Sequence, residues 1–178
     1  MTWFSNRLRR AWRDDSGVAT IEFVMALPIL LAVFSASFES GLMMTRSIML
    51  EQSLDMVMRE LRLGHYVGAD SVLLKKEICR RTVIFSDCEA SLMIDLRQIS
   101  TTTWAMPTVA TTCVNRDLDI QPVTALQIGQ QNDLILVRAC IVQDAIFPTT
   151  GIGLRLTRQD NGGGYEIVAV SAFSNEPI

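Results

Sequence analysis

The sequence predicts an α+β fold in which one long N-terminal, membrane-spanning helix continues into a small antiparallel-sheet domain. Three observations lead to this prediction: an uncharged apolar run at Phe23–Phe38, a helical apolar stripe directly after it, and strand-like apolar runs after residue 90. The 178 residues suffice for one compact domain rather than two. We divide the chain into a basic leader (1–17), a helix (18–63) and an extracytoplasmic α+β domain (64–178).

The apolar run is long enough to cross a membrane. From Val18 to Phe38 it contains a single charge, Glu22, and at about 1.5 Å per residue it covers about 30 Å, the thickness of a hydrocarbon core. A buried core helix is the alternative, but the basic flank Arg7–Arg13 favours a membrane segment whose N-terminus stays in the cytoplasm. No small-x-small site follows the run, so ordinary signal cleavage after it is not expected.

The helical pattern continues past the membrane segment. Apolar or small residues recur on one helix face at alternating steps of four and three: Met43, Ser47, Leu50, Leu54, Val57 and Leu61. Gly64 predicts the end of the helix. Because the stripe is shorter than three heptads, we favour packing against the domain over a coiled-coil seam.

The rest of the chain predicts a short helix and a sheet. Asp70 or Ser71 caps a helix that runs to about Thr82. Leu92–Arg97 alternates two sets of residues, Leu92, Ile94 and Leu96 against Met93, Asp95 and Arg97, which predicts a strand. Asp133–Val142 is almost continuously apolar, which is typical of a strand covered on both faces.

Two further segments predict a β-hairpin. Gly153–Arg158 and Tyr165–Phe173 flank the run Asp160–Gly164, whose Asp-Asn-Gly-Gly-Gly sequence is typical of a tight turn. We therefore expect an antiparallel sheet of three or four strands, with the stripe of the long helix packed on one face.

Four cysteines follow the membrane segment, on the side that we expect to be oxidising: Cys79, Cys88, Cys113 and Cys140. Four cysteines allow three pairings, and the simplest joins Cys79 to Cys88 and Cys113 to Cys140, because neighbours in sequence close the smaller loops. A zinc site is the rival interpretation, but the chain has no C-x-x-C spacing and only one histidine. We expect disulfides and no bound metal.

Charge and composition argue against two other classes of protein. After residue 17 the chain holds 12 basic and 17 acidic residues, and an acidic body without a basic cluster is not typical of nucleic-acid binding. An enzyme is disfavoured because His65 is the only histidine and lies where a linker is expected. The run Gly162–Gly164 lacks the Lys-Ser/Thr of a phosphate-binding loop. We predict neither catalysis nor a cofactor.

The most informative segment is the junction between the leader and the helix. A charged stretch ends at Gly17, the apolar helix begins at Val18, and a carboxylate, Glu22, follows shortly after. An ionised carboxylate costs at least about 2.5 kcal/mol in lipid. Glu22 therefore either has a function or lies at the level of the lipid headgroups.

This junction resembles the N-terminal signature of the TadE/TadF-like pseudopilins of tight-adherence (Flp-type) pili. The similar residues are Gly17-Val18-Ala19-Thr20-Ile21-Glu22-Phe23, the run Ala26–Leu31, Glu39-Ser40-Gly41 and the ending Asn175-Glu176-Pro177. The resemblance covers about residues 7–60 and this tail.

The resemblance implies a pilin-like fold, an inner-membrane location with the domain in the periplasm, and a processing route. A prepilin peptidase would cut between Gly17 and Val18, where glycine leaves the backbone unhindered. Glu22 and Phe23 would become residues five and six of the mature chain, and Glu22 would neutralise the new amine during assembly. The implied partners are this peptidase, other pilins or pseudopilins, the inner-membrane assembly platform and membrane lipid.

Two alternatives share much of this prediction. An unprocessed single-pass subunit of another envelope complex would have the same fold and differ only at the leader. A major pilin is disfavoured because, by the resemblance, major Flp pilins are little more than the helix. The sequence therefore predicts a minor pilin or pseudopilin, and it leaves open the TadE-like or TadF-like type and entry into the fibre.

Overall fold

A computed structural model of the chain describes residues 18–66, 68–108, 111, 113–121, 124–149, 151–156 and 162–175. The predicted leader, including Gly17, and the last three residues lie outside the described residues. The elements in chain order are α1 (Val18–Arg62), α2 (Ser71–Arg81), α3 (Cys88–Ser91), β1 (Leu92–Ile99), β2 (Leu134–Gln143), α4 (Gly151–Leu156) and β3 (Tyr165–Ser174). This is the predicted α+β class.

α1 is one continuous helix of 45 residues, as the apolar run and the stripe together predict. It ends where Gly64 adopts a left-handed conformation with a φ of 75°. The N–H of Gly64 donates to the carbonyl of Leu61, and the N–H of His65 donates to the carbonyl of Glu60. These two bonds satisfy carbonyls that the end of a helix otherwise leaves unpaired.

Within the described residues the sheet has three antiparallel strands in the order β1-β2-β3. The central strand β2 is buried on both faces over most of its length, as its continuous apolar sequence predicts. The outer edge of β1 is covered by a short segment within the long β1–β2 connection. There, the N–H of Leu96 donates to the carbonyl of Ala125, and the N–H of Gln127 donates to the carbonyl of Leu96.

The apolar stripe of α1 and one face of the sheet form the main core. The buried members of the stripe are Leu50, Leu54, Val57 and Leu61. Met43, the first member of the predicted stripe, is exposed, and Ser47, the second, is only partly buried. β3 runs alongside α1, and Ser171 Oγ donates to Asp55 Oδ1 at 2.7 Å. The stripe therefore packs on the domain, as we favoured.

The opposite face of the sheet is partly covered by the connection between β1 and β2. Cys113 in this connection is disulfide-bonded to Cys140 in β2, and Val114 beside it is buried. Asp95 and Arg138 pair across β1 and β2, with Asp95 Oδ2 accepting from Arg138 Nη2 at 2.7 Å. Both side chains are buried, and burial of charge is tolerated when the charges are paired in this way.

α2 begins as the sequence predicts. The Asp70 side chain caps the helix by accepting from the N–H of Leu73 at 2.8 Å. The end of α2 is joined to α3 by the disulfide between Cys79 and Cys88. Together with the Cys113–Cys140 bond, this confirms the predicted pairing, in which neighbouring cysteines close the smaller loops and none of the four remains free.

The predicted hairpin around the glycine run is wrong. Residues 151–156 form α4 rather than a strand, and β3 pairs with β2 instead. Gly153 gives the physical reason: a Cβ there would lie 2.1 Å from the carbonyl oxygen of Phe147, because the chain folds back closely on itself. Gly164, with a φ of 82°, leads directly into β3. Residues 157–161, which include the start of the predicted turn, lie outside the described residues.

Candidate functional site

The predicted assembly residues lie at the start of α1, on a helix surface that the described residues leave uncovered. α1 begins at Val18, Glu22 lies one turn later and is exposed, and Phe23 is 62% exposed. The apolar 18-residue window of this helix contains no buried residue. This excludes a core helix within the described chain, and a single N-terminal apolar helix of this length suggests membrane anchoring. Gly17, the other half of the predicted cleavage site, lies outside the described residues.

The domain first contacts α1 within the apolar run. Gly151, the first residue of α4, lies so close to the helix that an added Cβ would be 3.3 Å from the Cβ of Ala36 and 3.9 Å from the carbonyl oxygen of Ala32. The Phe147 ring meets the Phe38 ring edge to face, with centroids 6.1 Å apart. The β2–α4 loop and α4 therefore lie beside the last two turns of the predicted membrane segment.

Glu39 is the first charge after the apolar run, and its side chain is fully buried. Its Oε2 accepts hydrogen bonds from the backbone N–H of Ile146 at 3.0 Å and of Phe147 at 3.1 Å. Its Oε1 has no hydrogen-bond partner among the described residues. Backbone N–H bonds to an ionised carboxylate are about twice as strong as neutral ones. Glu39 thus fixes the β2–α4 loop to the helix.

Arg46 is a second buried charge on the same face of α1, two turns after Glu39. Its Nη1 donates to the backbone carbonyl of Asp144 at 3.0 Å and to the hydroxyl of Tyr165 at 2.5 Å. The guanidinium carbon also lies 5.8 Å from the centroid of the Tyr165 ring, within the range of a cation–π contact. Glu39 and Arg46 hold the two ends of the segment 144–147, and we call this arrangement the Glu39–Arg46 clamp.

A separate polar cluster joins the end of α1 to α2. The Tyr66 hydroxyl donates to Glu60, and Arg81 pairs with Glu60 at 2.8 Å and with Glu77 at 2.9 Å. The hydrogen bond from Tyr66, together with the nearby Arg81, holds the pKa of Glu60 below its ordinary value. Burial raises the pKa of Tyr66. The cluster holds the short helix against the long one, at the end of α1 that lies away from the apolar run.

The sequence singles out Glu39 only within the Glu39-Ser40-Gly41 motif, and Arg46 is absent from the sequence predictions. The signal was present, because Glu39 lies four residues before Met43 and Arg46 lies four residues before Leu50. Charges on the buried face of a helix predict buried partners. Glu22 lies on the same helix about 17 residues before Glu39, or roughly 25 Å away, so the structure does not bring it to the clamp.

The chain was also compared with known proteins. Residues 17–59 match the family model described as TadE-like protein. This part of the chain is TadE-like. The TadE-like segment begins one residue before α1 and ends inside α1, so it covers the helix and not the sheet domain. Searches of curated proteins and of solved structures gave no match. TadE-like proteins are structural pilus proteins, and the match therefore points to a protein associated with the tight-adherence pilus.

Proposed function

We propose that the chain is a minor pilin or pseudopilin that is needed for assembly of a tight-adherence pilus. The observation that carries this proposal is the TadE-like match, which begins at Gly17 and follows a continuous helix to residue 59. The helix is exposed over its first four turns, and an exposed apolar surface of this size needs lipid or other helices to cover it. A pilin-type subunit meets lipid before assembly and neighbouring helices afterwards.

Processing after Gly17 would place a free amine close to Glu22. Cleavage would free the amine of Val18, which lies in α1 four residues before Glu22. Residues four apart on a helix have Cβ atoms about 5–6 Å apart, so the Glu22 carboxylate can reach this amine or the amine of a neighbouring subunit. An ion pair at this position would offset the cost of a carboxylate near lipid and would help to set the register between subunits.

The proposed location is the inner membrane, with a single pass, the N-terminus in the cytoplasm and the domain in the periplasm or carried into the pilus. The two disulfides support an oxidising compartment for the domain. The proposed partners are a prepilin peptidase, other pilins or pseudopilins, the inner-membrane assembly platform and membrane lipid. We propose a structural role rather than catalysis, because the single histidine, His65, is exposed beside the end of α1 and the cysteines are bonded.

The processing step is tested by intact-mass measurement of the full chain co-expressed with the matching prepilin peptidase. The wild-type chain should lose residues 1–17, and Gly17→Trp should keep them, because a bulky side chain blocks close approach to the backbone. A wild-type chain that keeps its first 17 residues in its native host would contradict the proposal.

The assembly role is tested with Glu22→Ala, for which Glu51→Ala is a matched control. Glu51 is an exposed glutamate of the same helix, but it lies beyond the apolar run. Glu22→Ala should be processed normally but should yield fewer pili by electron microscopy and shear assay. Glu51→Ala should produce pili at the wild-type level. Normal piliation with Glu22→Ala would refute the role of this carboxylate.

The alternative is an unprocessed single-pass subunit of another envelope complex. It would share the helix, the domain and the disulfides. N-terminal sequencing of the protein purified from its host separates the two, since the alternative predicts an N-terminus upstream of Val18 and no effect of Gly17→Trp.

A further inference from the structure

We infer that the β2–α4 loop and α4 form a membrane-interface element, whose exposed apolar side chains insert between the headgroups and acyl chains of the bilayer that holds α1. The inference rests on the proposed membrane anchoring of α1. It adds a second contact between the protein and lipid, made by a part of the chain more than 100 residues away in sequence.

The position of α4 along α1 matches the depth of a membrane interface. The apolar run ends at Phe38, and Glu39 is the next charge. α4 touches α1 at Ala32 and Ala36, which precede Glu39 by about three to seven residues, or roughly 5–10 Å along the helix axis. Interfacial helices bury their apolar face about 5–10 Å into the boundary between headgroups and acyl chains. If α1 spans the bilayer through its apolar run, α4 lies at this boundary.

The β2–α4 loop and α4 also present exposed apolar side chains. Ile146 is 50% exposed, Ile152 is 38% exposed and Leu154 is 63% exposed. Ala145 and Leu156 of the same element pack against the main core. Leu154 lies on the opposite side of α4 from Leu156, so the element is held to the protein on one side and turns its most exposed apolar side chain outward. Arg155 beside Leu154 is exposed, and its long side chain can extend to lipid phosphates while its methylene groups stay in the apolar layer.

The buried carboxylate of Glu39 satisfies backbone groups of the β2–α4 loop at this height. Backbone N–H groups cost several kcal/mol when they are left unpaired in an apolar layer, since no water is present to accept from them. The N–H groups of Ile146 and Phe147 lie in an irregular loop, and Glu39 Oε2 accepts from both. The carboxylate therefore supplies the acceptor that lets irregular backbone lie beside the apolar run.

The far end of β3 lies well away from this boundary. β3 runs alongside α1 toward its C-terminus, and Ser171 is hydrogen-bonded to Asp55. Asp55 is about 16 residues past Glu39, or roughly 24 Å along the helix axis. Val170, next to Ser171, is an exposed apolar residue that should lie in water, and it serves as the control position for Leu154.

The test measures the depth of single probes on the full chain, reconstituted at low protein density in phosphatidylethanolamine and phosphatidylglycerol vesicles. New thiols are introduced one at a time as Leu154→Cys, Ile29→Cys and Val170→Cys and labelled with a nitrobenzoxadiazole fluorophore. The four native cysteines are bonded, so only the new thiol reacts, and intact mass verifies both disulfides. Each probe is quenched separately with aqueous iodide and with lipids that carry a nitroxide near the headgroup.

The expected result is that the Leu154 probe is quenched by the shallow nitroxide lipid and is several-fold less accessible to iodide than the Val170 probe. The Ile29 probe should be shielded from iodide because it lies within the span. A Leu154 probe that is as accessible to iodide as Val170, with Ile29 shielded, would overturn the inference and leave membrane anchoring intact. Shielding of Leu154 from iodide without quenching by lipid would also overturn it, because a second copy of the chain would then cover this face. Exposure of Ile29 to iodide would instead refute the membrane anchoring itself.

Discussion

Replacing Glu39 by alanine should release the β2–α4 loop from α1 while leaving the sheet folded. The fully buried carboxylate accepts two backbone hydrogen bonds, at 3.0 and 3.1 Å, from Ile146 and Phe147. A hydrogen bond to a charged group contributes about 1.5–3 kcal/mol. Glu39→Ala removes the acceptor of both bonds, and each N–H should therefore open more easily by about that amount.

Amide hydrogen exchange measures this opening directly, because exchange reports local as well as global unfolding. A loss of about 1.5–3 kcal/mol corresponds to exchange that is roughly 10- to 150-fold faster. We expect this acceleration in peptides that contain Ile146 and Phe147 in Glu39→Ala, and a smaller one in Glu39→Gln, since the amide of glutamine retains a carbonyl oxygen. Peptides of the central strand β2 should exchange as in the wild type.

Glu51→Ala is the matched control, because Glu51 is an exposed glutamate of the same helix. In Glu51→Ala, the amides of Ile146 and Phe147 should exchange at the wild-type rate. Unchanged protection of Ile146 and Phe147 in Glu39→Ala would show that the carboxylate does not hold the loop. Equal acceleration in the loop and in β2 would show that the substitution destabilises the whole domain instead.

Three further predictions concern the stability of the domain, measured by urea unfolding of the full chain in detergent micelles. Replacing Cys113 and Cys140 by alanine opens a loop of 27 residues and should lower the free energy of unfolding by about 3.5 kcal/mol. Replacing Cys79 and Cys88 by alanine opens a loop of 9 residues and should lower it by about 2.6 kcal/mol. The reverse order of the two losses would contradict the loop-entropy reasoning. Leu54→Ala should cost about 2–5 kcal/mol because Leu54 is fully buried, and a loss well below this range would show that the core relaxes around the cavity. The pKa of Glu60 is lowered in the folded state, so the ionised Glu60 should stabilise the fold fully above its unfolded pKa and lose this effect as the pH falls through its folded pKa. Tyr66→Phe removes the main hydrogen-bond donor to Glu60, so the stability of this variant should fall less on acidification than that of the wild type.

The elements that could be predicted from the sequence are those whose signal is local. The end of α1 follows from Gly64, the start of α2 follows from the capping carboxylate of Asp70, and β2 follows from its continuous apolar run. In each case the residues that produce the structure lie within a few positions of it. The disulfide pairing was predictable for a similar reason, because both bonds join cysteines that are neighbours in sequence.

The features that could not be predicted depend on contacts between distant residues. α4 has a short sequence whose apolar pattern also suits a strand, and its position depends on Ala36, more than 100 residues earlier. The clamp depends in the same way on two backbone N–H groups and one carbonyl that become partners of Glu39 and Arg46 only after folding. Every residue has the same backbone groups, so the sequence can place Glu39 and Arg46 on the buried face of α1 but cannot identify the N–H and carbonyl groups that they bind.

The contact between Gly151 and Ala36 covers one side of α1 near Ala36 and leaves the opposite side exposed. As far as Leu31, the side chains of α1 are open around almost the whole circumference, and a neighbouring helix has access from every direction. From Ala36 onward, α4 and the domain occupy one side, and only the opposite side is free. In the proposed pilus, helices of neighbouring subunits would therefore reach α1 from any direction before Leu31, but only from its free side after Ala36.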